Sequence, residues 1–420
     1  LRTFLYAQFI CLPLSDIIAD AISDTMHILA DANLPLVAEL CDQLCRAAGY
    51  PAEVELYSTR QPSAAQLATA EALLIRSVTR VDADLLQQAP RLRWVGSGTI
   101  GTEHVDQAAL DAAGVVFTHT PGVNANAVGD YVASAVAAAS LRRGQFLAGE
   151  AAIIGAGHTG RAAGQRLQGL GLQVHYYDPP LVESGANQVP VHGNWQRVLN
   201  SAVISCHVPL TTSGPYATRH LLDDSAVQAL AADTLIINAS RGPVVAQQAV
   251  ARALQRQQSL RWVLDVWEDE PQIAVDLLPC IELATPHIAG HSLAGKLGGT
   301  RQLCAKLAAH LGWPDQLPSL TELLSRWPRV SGDRELQSLA APDWQTLASW
   351  VLAIYDIRED DRQLRAAPPT PAAFDALRRN YQPRAELSSG LVSGGQWVNE
   401  PFWQQRLHQL NLRSKDVTSF

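Results

Sequence analysis

The sequence predicts an α/β protein made of doubly wound parallel sheet, and three observations carry that expectation. Short apolar strands alternate with helical stretches in two successive blocks. The strand at 151–154 empties into a glycine loop, Gly155-Ala-Gly157-His158-Thr159-Gly160. The next strand, Val174–Tyr177, closes on an acid, Asp178. Gly155 allows the tight strand-to-helix turn, Gly157 lets backbone approach a pyrophosphate, and Gly160 lets helix pack on strand. A lone loop of this kind is weak, because glycine turns also serve packing. Asp178, roughly 20 residues further on, supplies the context of a Rossmann unit, where a carboxylate accepts both ribose hydroxyls. That carboxylate repels a 2′-phosphate, so the expected cofactor is NAD rather than NADP.

Each element follows in chain order. Residues 1–25 combine Arg2, an apolar run and a small-residue triplet, which loosely imitates a secretory signal. Met26, the single methionine, leads directly into the strand His27–Ala30, so the favoured expectation is an N-terminal extension outside the fold. A turn and an amphipathic helix from Leu36 to Ala48 come next, then strands at Leu73–Ile75, Leu92–Val95 and Val115–Phe117. Pro121-Gly122 breaks the chain before a long small-residue helix, Ala125 to Arg143, where a domain boundary is expected. The nucleotide unit continues with strands at Val203–Cys206, Leu235–Asn238, Val263–Val266 and Glu282–Ala284. Beyond Gly290 a helix around Leu297–Leu311 precedes a less regular region, read as a third, smaller domain.

Composition narrows the partners. The net charge is −8 without any block of like charge, so no basic stripe offers itself to nucleic acid or to a membrane surface. Six cysteines include no C-x-x-C pair, and Cys41 and Cys45, one helical turn apart, read as buried thiols suited to the cytoplasm. No metal site is expected.

Chemistry concentrates where strands end. Arg76 and Ser77 close one strand of the first block and Thr99 follows another; a guanidinium fork with hydroxyls is good phosphate or carboxylate chemistry. In the nucleotide unit Arg241 follows Asn238-Ala239-Ser240, Glu270 follows Leu264-Asp265-Val-Trp-Glu-Asp, and His287 sits in Thr285-Pro-His287-Ile-Ala-Gly290. Any one of them alone is more often structural. Together beside a dinucleotide loop they provide a cation for a carboxylate, a base for a hydroxyl proton, and an acid to orient that base. Histidine titrates near 6.5, close to neutrality.

The chain resembles the D-isomer-specific 2-hydroxyacid dehydrogenases through Gly155–Gly160, Asn238–Gly242, Leu264–Pro271 and Thr285–Gly290. A narrower branch is marked by Arg76–Thr79, Gly101–Asp106, His220-Leu221, His291–Lys296 and the late stretches Tyr355–Asp361 and Phe374–Tyr381. The resemblance implies hydride transfer from a phosphorylated D-2-hydroxy acid to NAD, with Arg241, Glu270 and His287 catalytic. It implies Asp178, Val208, Ala239, Ser240, Arg241, Asp265 and Gly290 around NAD, Ser77 and Thr99 on substrate, and a homodimer. The implied organisation is a flavodoxin-like substrate-binding domain at 26–125 with 288–313, the Rossmann domain at 126–287, and an α+β dimerisation domain at 314–420. Two departures stand out: the family's usual Tyr is His291 here, and residues from about 396 onward depart from the family ending. A charged His291 would bind an anionic substrate better than a neutral one, so affinity is expected to weaken as pH rises through the histidine range. The rival readings are a dehydrogenase for another D-2-hydroxy acid and a dinucleotide-sensing regulator on the same fold.

Overall fold

The computed structural model describes residues 25–186 and 188–415; the expected N-terminal extension therefore lies outside the described residues apart from Thr25. Contacts divide the chain into two compact units, one running to Thr120 with Thr300–Pro318 added, the other Pro121–Gly299 with the chain from Ser319 onward.

The first unit is a parallel sheet of β1 (Met26–Asp31), β2 (Ala52–Tyr57), β3 (Ala72–Ile75), β4 (Trp94–Ser97) and β5 (Val116–His119), in the order β2-β1-β3-β4-β5. The inner strands β3 and β4 are buried at every position, as parallel strands covered on both faces must be. Helix α1 (Val37–Ala48) buries Val37, Leu40, Cys41, Leu44 and Cys45, a stripe at helical spacing, and stops at Gly49 in the left-handed region. Both thiols are buried as expected, and Cys41 Sγ lies 3.8 Å from Cys304 Sγ. The sequence reading missed β2. It is an edge strand that alternates Glu53 and Glu55 with apolar residues, a pattern that leaves little hydrophobic signal but discourages further strand addition.

The second unit holds seven parallel strands: β6 (Glu150–Ile154), β7 (Gln173–Tyr177), β8 (Val191–His192), β9 (Val203–Cys206), β10 (Leu235–Asn238), β11 (Arg261–Leu264) and β12 (Leu283–Ala284). Their order, β12-β11-β10-β9-β6-β7-β8, reverses direction at β6, where the glycine loop leaves the sheet. Helix α2 (Ala125–Arg143) is buried on all sides from Ala127 to Ser140, and its small residues allow close approach to α3 (His158–Leu170). A Cβ on Gly129 would sit 3.0 Å from the Ala162 backbone. Helix α4 (Leu293–Leu311) follows the His287 loop.

The C-terminal part of this unit adds α5 (Trp344–Ile354), α6 (Ile357–Ala366), α7 (Pro371–Arg379) and a parallel sheet of β13 (Arg334–Ser338), β14 (Gly390–Gly394) and β15 (Arg413–Ser414). The described residues beyond 396, where a departure from the family pattern is expected, include the edge strand β15. Leu336, Val351, Leu387 and Val392 share one hydrophobic core with α2, β6 and β10. An ion pair ties the parts together. Arg166 Nε donates to Asp130 Oδ1 at 2.8 Å with both side chains at most 2% exposed, and Asp130 Oδ2 accepts from the Leu387 amide at 2.8 Å. Asp130→Ala leaves the Arg166 charge buried without its counter-ion, so it is expected to lower unfolding free energy by about 3–5 kcal/mol. Urea denaturation measures this, and a loss below about 1 kcal/mol would remove the pair from the list of structural supports.

Candidate active site

The sheet order makes β10, β11 and β12 neighbours, and past the carboxyl end of each lies one of the expected catalytic residues: Arg241, Glu270 and His287. Local structure fixes each one. The Asn238 side chain accepts from the Ser240 amide at 3.2 Å and its hydroxyl at 2.8 Å, and donates to the Arg241 carbonyl at 3.0 Å. Behind Arg241 the chain turns through Gly242, where a Cβ would lie 1.8 Å from the Trp267 carbonyl oxygen. Trp267 is buried and its Nε1 donates to the Thr285 carbonyl at 3.1 Å, joining the β11 loop to the β12 loop. Glu268 accepts from the Gln247 amide at 2.9 Å and pairs with His220 Nε2 at 2.5 Å, steadying the turn that presents Glu270. His220 belongs to one of the branch motifs, and this is its structural work.

His287 has a φ of 57°, the left-handed region that a side chain adopts at a cost. Asp265, 1% exposed, holds it there. Its Oδ1 accepts from the Thr285 hydroxyl and the Ile288 amide, both at 2.7 Å, and its Oδ2 from the Ala289 amide at 2.9 Å. The His287 amide donates to the Asp265 carbonyl at 2.7 Å. His287 Nδ1 then lies 2.5 Å from Glu270 Oε1. Burial pushes the Glu270 carboxyl up, but the bond and charge of His287, with Arg378 behind them, outweigh it and hold the group below the usual range. An ionised Glu270 accepts a hydrogen bond from Nδ1–H and leaves Nε2 as the basic nitrogen. Glu270 Oε2 is buried with no partner, as are His291 Nδ1 and Arg378 Nε, and each orphaned group costs about 1–3 kcal/mol unless a ligand or water answers it.

The glycine loop fits a dinucleotide on its own geometry. Gly155 has a φ of 95° and a Cβ there would meet the His207 carbonyl oxygen at 2.6 Å, while one on Gly160 would lie 1.9 Å from the Gly155 carbonyl oxygen. Gly157 faces open space, with nothing within 4 Å of a Cβ position, and caps α3. Here the glycine leaves room for an anion at the helix N-terminus. His158 is exposed and Thr159 half-buried at that first turn. Asp178 Oδ2 accepts from the Ala156 amide at 2.9 Å and Oδ1 from the Leu181 amide at 3.2 Å, which locks the carboxylate beside the loop. Val208 and Ala239 follow β9 and β10 and are half-buried. Gly290 abuts the Asn124 side chain, 2.3 Å from a Cβ position.

Arg76, Ser77 and Thr99 fall in the first unit. Arg76 Nε donates to the buried Asp31 carboxylate at 2.8 Å, Thr99 shares a 2.8 Å bond with the Ser97 hydroxyl, and exposed Ser77 lines a cleft of about 460 Å³ with Arg80, Asp82 and His104. His291 sits on the second unit, its ring edge-on to Tyr381 at 5.7 Å. Burial, then the charges of Lys296, Arg378, His287 and Arg384, press its pKa well below the usual histidine value. The expected gain from a protonated His291 near neutrality is therefore corrected: burial, reinforced by those four neighbours, disfavours the charged imidazole.

A model of the "D-isomer specific 2-hydroxyacid dehydrogenase, NAD binding domain" matches residues 139–289, and a second, described as a domain of unknown function, matches 333–407. Fold and site thus define an NAD-dependent 2-hydroxyacid dehydrogenase, as the strand-end residues and the glycine loop led us to expect. An erythronate-4-phosphate dehydrogenase of Idiomarina loihiensis is 43% identical over 373 residues, 88% of this chain and 94% of the relative. One of Aeromonas hydrophila is 41% identical over 373 residues, 88% and 96% of the two chains. The structure of NAD+-bound 3-phosphoglycerate dehydrogenase of Entamoeba histolytica, 17% identical, superposes with a TM-score of 0.57 over 69% of this chain and 96% of its own, a likeness of fold. The chain belongs to the erythronate-4-phosphate dehydrogenase family. Among the described residues no helix is long and apolar enough to cross a membrane.

Proposed function

We infer that this chain oxidises 4-phospho-D-erythronate at C2 with NAD, giving 2-oxo-3-hydroxy-4-phosphobutanoate in the biosynthesis of pyridoxal 5′-phosphate. The observation that carries this reading is the Glu270–His287 pair at 2.5 Å, on neighbouring strand ends of a dinucleotide sheet, in a chain so similar to those relatives. His287 Nε2 takes the C2 hydroxyl proton as the C2–H bond breaks. Glu270 steadies the imidazolium that results. Arg241 binds the C1 carboxylate and the developing carbonyl oxygen through its fork. NAD, when bound, accepts the hydride and its two electrons. Asp178 receives the ribose hydroxyls, with Gly155, Gly157, His158, Thr159 and Gly160 at the pyrophosphate, and Val208, Ala239, Ser240 and Gly290 lining the cofactor. Arg76, Ser77, Thr99 and His291 are the residues proposed for substrate binding, His291 as a neutral group. A cytoplasmic homodimer held by residues 314–420 completes the reading. It is supported by Leu339, 93% exposed, and Phe402, 59% exposed, in that segment, and sedimentation of the full chain as a monomer would remove it.

The test is NADH formation from a panel of D-2-hydroxy acids. 4-Phospho-D-erythronate is expected to give the highest kcat/KM, and NAD to exceed NADP by at least about tenfold because of Asp178. Turnover of another acid in its place, or binding of NAD without turnover of any, would overturn the assignment.

A further inference from the structure

Helix α7 and the chain beyond it, one of the branch-marking stretches, supply none of the catalytic or binding residues named so far. Yet they run directly along the His287 loop. Phe374, 2% exposed, anchors α7 in the core beside Leu364. Beyond the helix, Tyr381 lies edge-on to His291 and its hydroxyl donates to Asp360 Oδ2 at 3.0 Å. Arg384 Nη2 donates to the Ala289 carbonyl at 2.7 Å, and the Leu293 amide donates to the Arg384 carbonyl at 3.0 Å. Between these anchors sits Arg378. It is half-buried, its Nε is buried with no partner, and its charge is felt at both Glu270 and His291. Two further orphaned atoms, Glu270 Oε2 and His291 Nδ1, belong to the same neighbourhood.

The acid of the proposed reaction has two anionic ends, a carboxylate at C1 and a phosphate at C4. Arg241 answers the first. The second needs another cation within the length of a four-carbon chain from His287. Arg384 does not suit: its Nε and Nη1 are also buried without partners, but it is 8% exposed, its Nη2 is held by two backbone carbonyls and its guanidinium lies over the Tyr355 ring at 3.9 Å. We propose that Arg378 binds the phosphate end of the substrate, so that the C-terminal segment reads the group that separates this substrate from a simple 2-hydroxy acid. The guanidinium fork matches phosphate oxygens, and a partly desolvated site strengthens the pairing. This rests on the proposed function.

The experiment compares wild type, Arg378→Gln and Arg378→Lys on 4-phospho-D-erythronate and on unphosphorylated D-erythronate. Arg378→Gln is expected to lower kcat/KM for the phosphorylated acid by about 100-fold and to reduce the preference for it over D-erythronate by a similar factor; Arg378→Lys recovers part of the loss. NADH binding and circular dichroism establish that the variants fold. An equal loss on both acids, which is what a residue acting only through Glu270 would give, overturns the proposal, as does an unchanged preference. A second readout does not need the substrate: inorganic phosphate should raise the melting temperature of the NAD-bound wild type and not that of Arg378→Gln. Wild type that fails to oxidise 4-phospho-D-erythronate sinks the functional reading, while the phosphate shift still decides whether Arg378 holds an anion.

Discussion

His287→Ala is expected to lower kcat for 4-phospho-D-erythronate by about 10²-fold or more, with the dissociation constant for NAD unchanged. The imidazole stands at the β12 end, and its orientation is fixed by Glu270 Oε1 at 2.5 Å. Alanine removes the acceptor and leaves Glu270 without its bond to the imidazole. Burial pushes that carboxyl up, and the variant removes the His287 bond and charge that oppose it, leaving Arg378 and a backbone bond from Trp267. Glu270→Gln separates the two roles. It keeps the base but no longer stabilises the imidazolium, so its loss should be smaller and should shift the pH dependence of kcat. Stopped-flow NADH fluorescence resolves the hydride step in each variant. Near-normal turnover in His287→Ala would move the base elsewhere.

Much of this site was legible before any geometry, and the reason is local. A glycine whose Cβ would collide with backbone, such as Gly160, leaves a mark at a fixed offset from its strand, and so does an acid that must meet ribose hydroxyls, such as Asp178. Arg241, Glu270 and His287 sit in separate segments, but each follows an apolar run long enough to be read as a buried parallel strand. The elements that escaped had weaker local signatures. Edge strand β2 dilutes its hydrophobicity with Glu53 and Glu55, β8 and β15 are two residues long, and β13 is paired only by residues more than fifty positions later. Strand pairing at that distance has no period to detect.

The environment of His291 was illegible for a different reason. Its depressed pKa follows from burial first, then from Lys296, Arg378, His287 and Arg384, and both the burial and the two arginines depend on the fold. Asp265 shows the same limit from the other side. Its presence at a strand end was visible, and resemblance placed it beside NAD, but the three donors that fill its carboxylate come from Thr285, Ile288 and Ala289 and appear only once β11 and β12 are neighbours.

Those three donors lead to the second large effect: Asp265→Asn should lower kcat by about 10²-fold while changing NAD affinity less than about threefold. The substitution exchanges one acceptor for a donor in a site that holds donors on every side. If the amide oxygen stays with Thr285 and Ile288, its NH2 points at the Ala289 amide; if it flips, two donors are orphaned rather than one. Each orphaned N–H costs about 1–3 kcal/mol, a cost the loop can relieve by moving away. Movement is easy to provoke here, because His287 is held at a φ of 57° that its backbone does not favour. A shift of about 1 Å in the imidazole spoils both the Glu270 bond and the approach to the C2 hydroxyl, enough for a 10²-fold loss. The kcat and NAD-affinity readouts separate this role from direct cofactor contact. A variant that keeps kcat but binds NAD more than about tenfold more weakly would place Asp265 on the cofactor and take the His287 loop out of its charge.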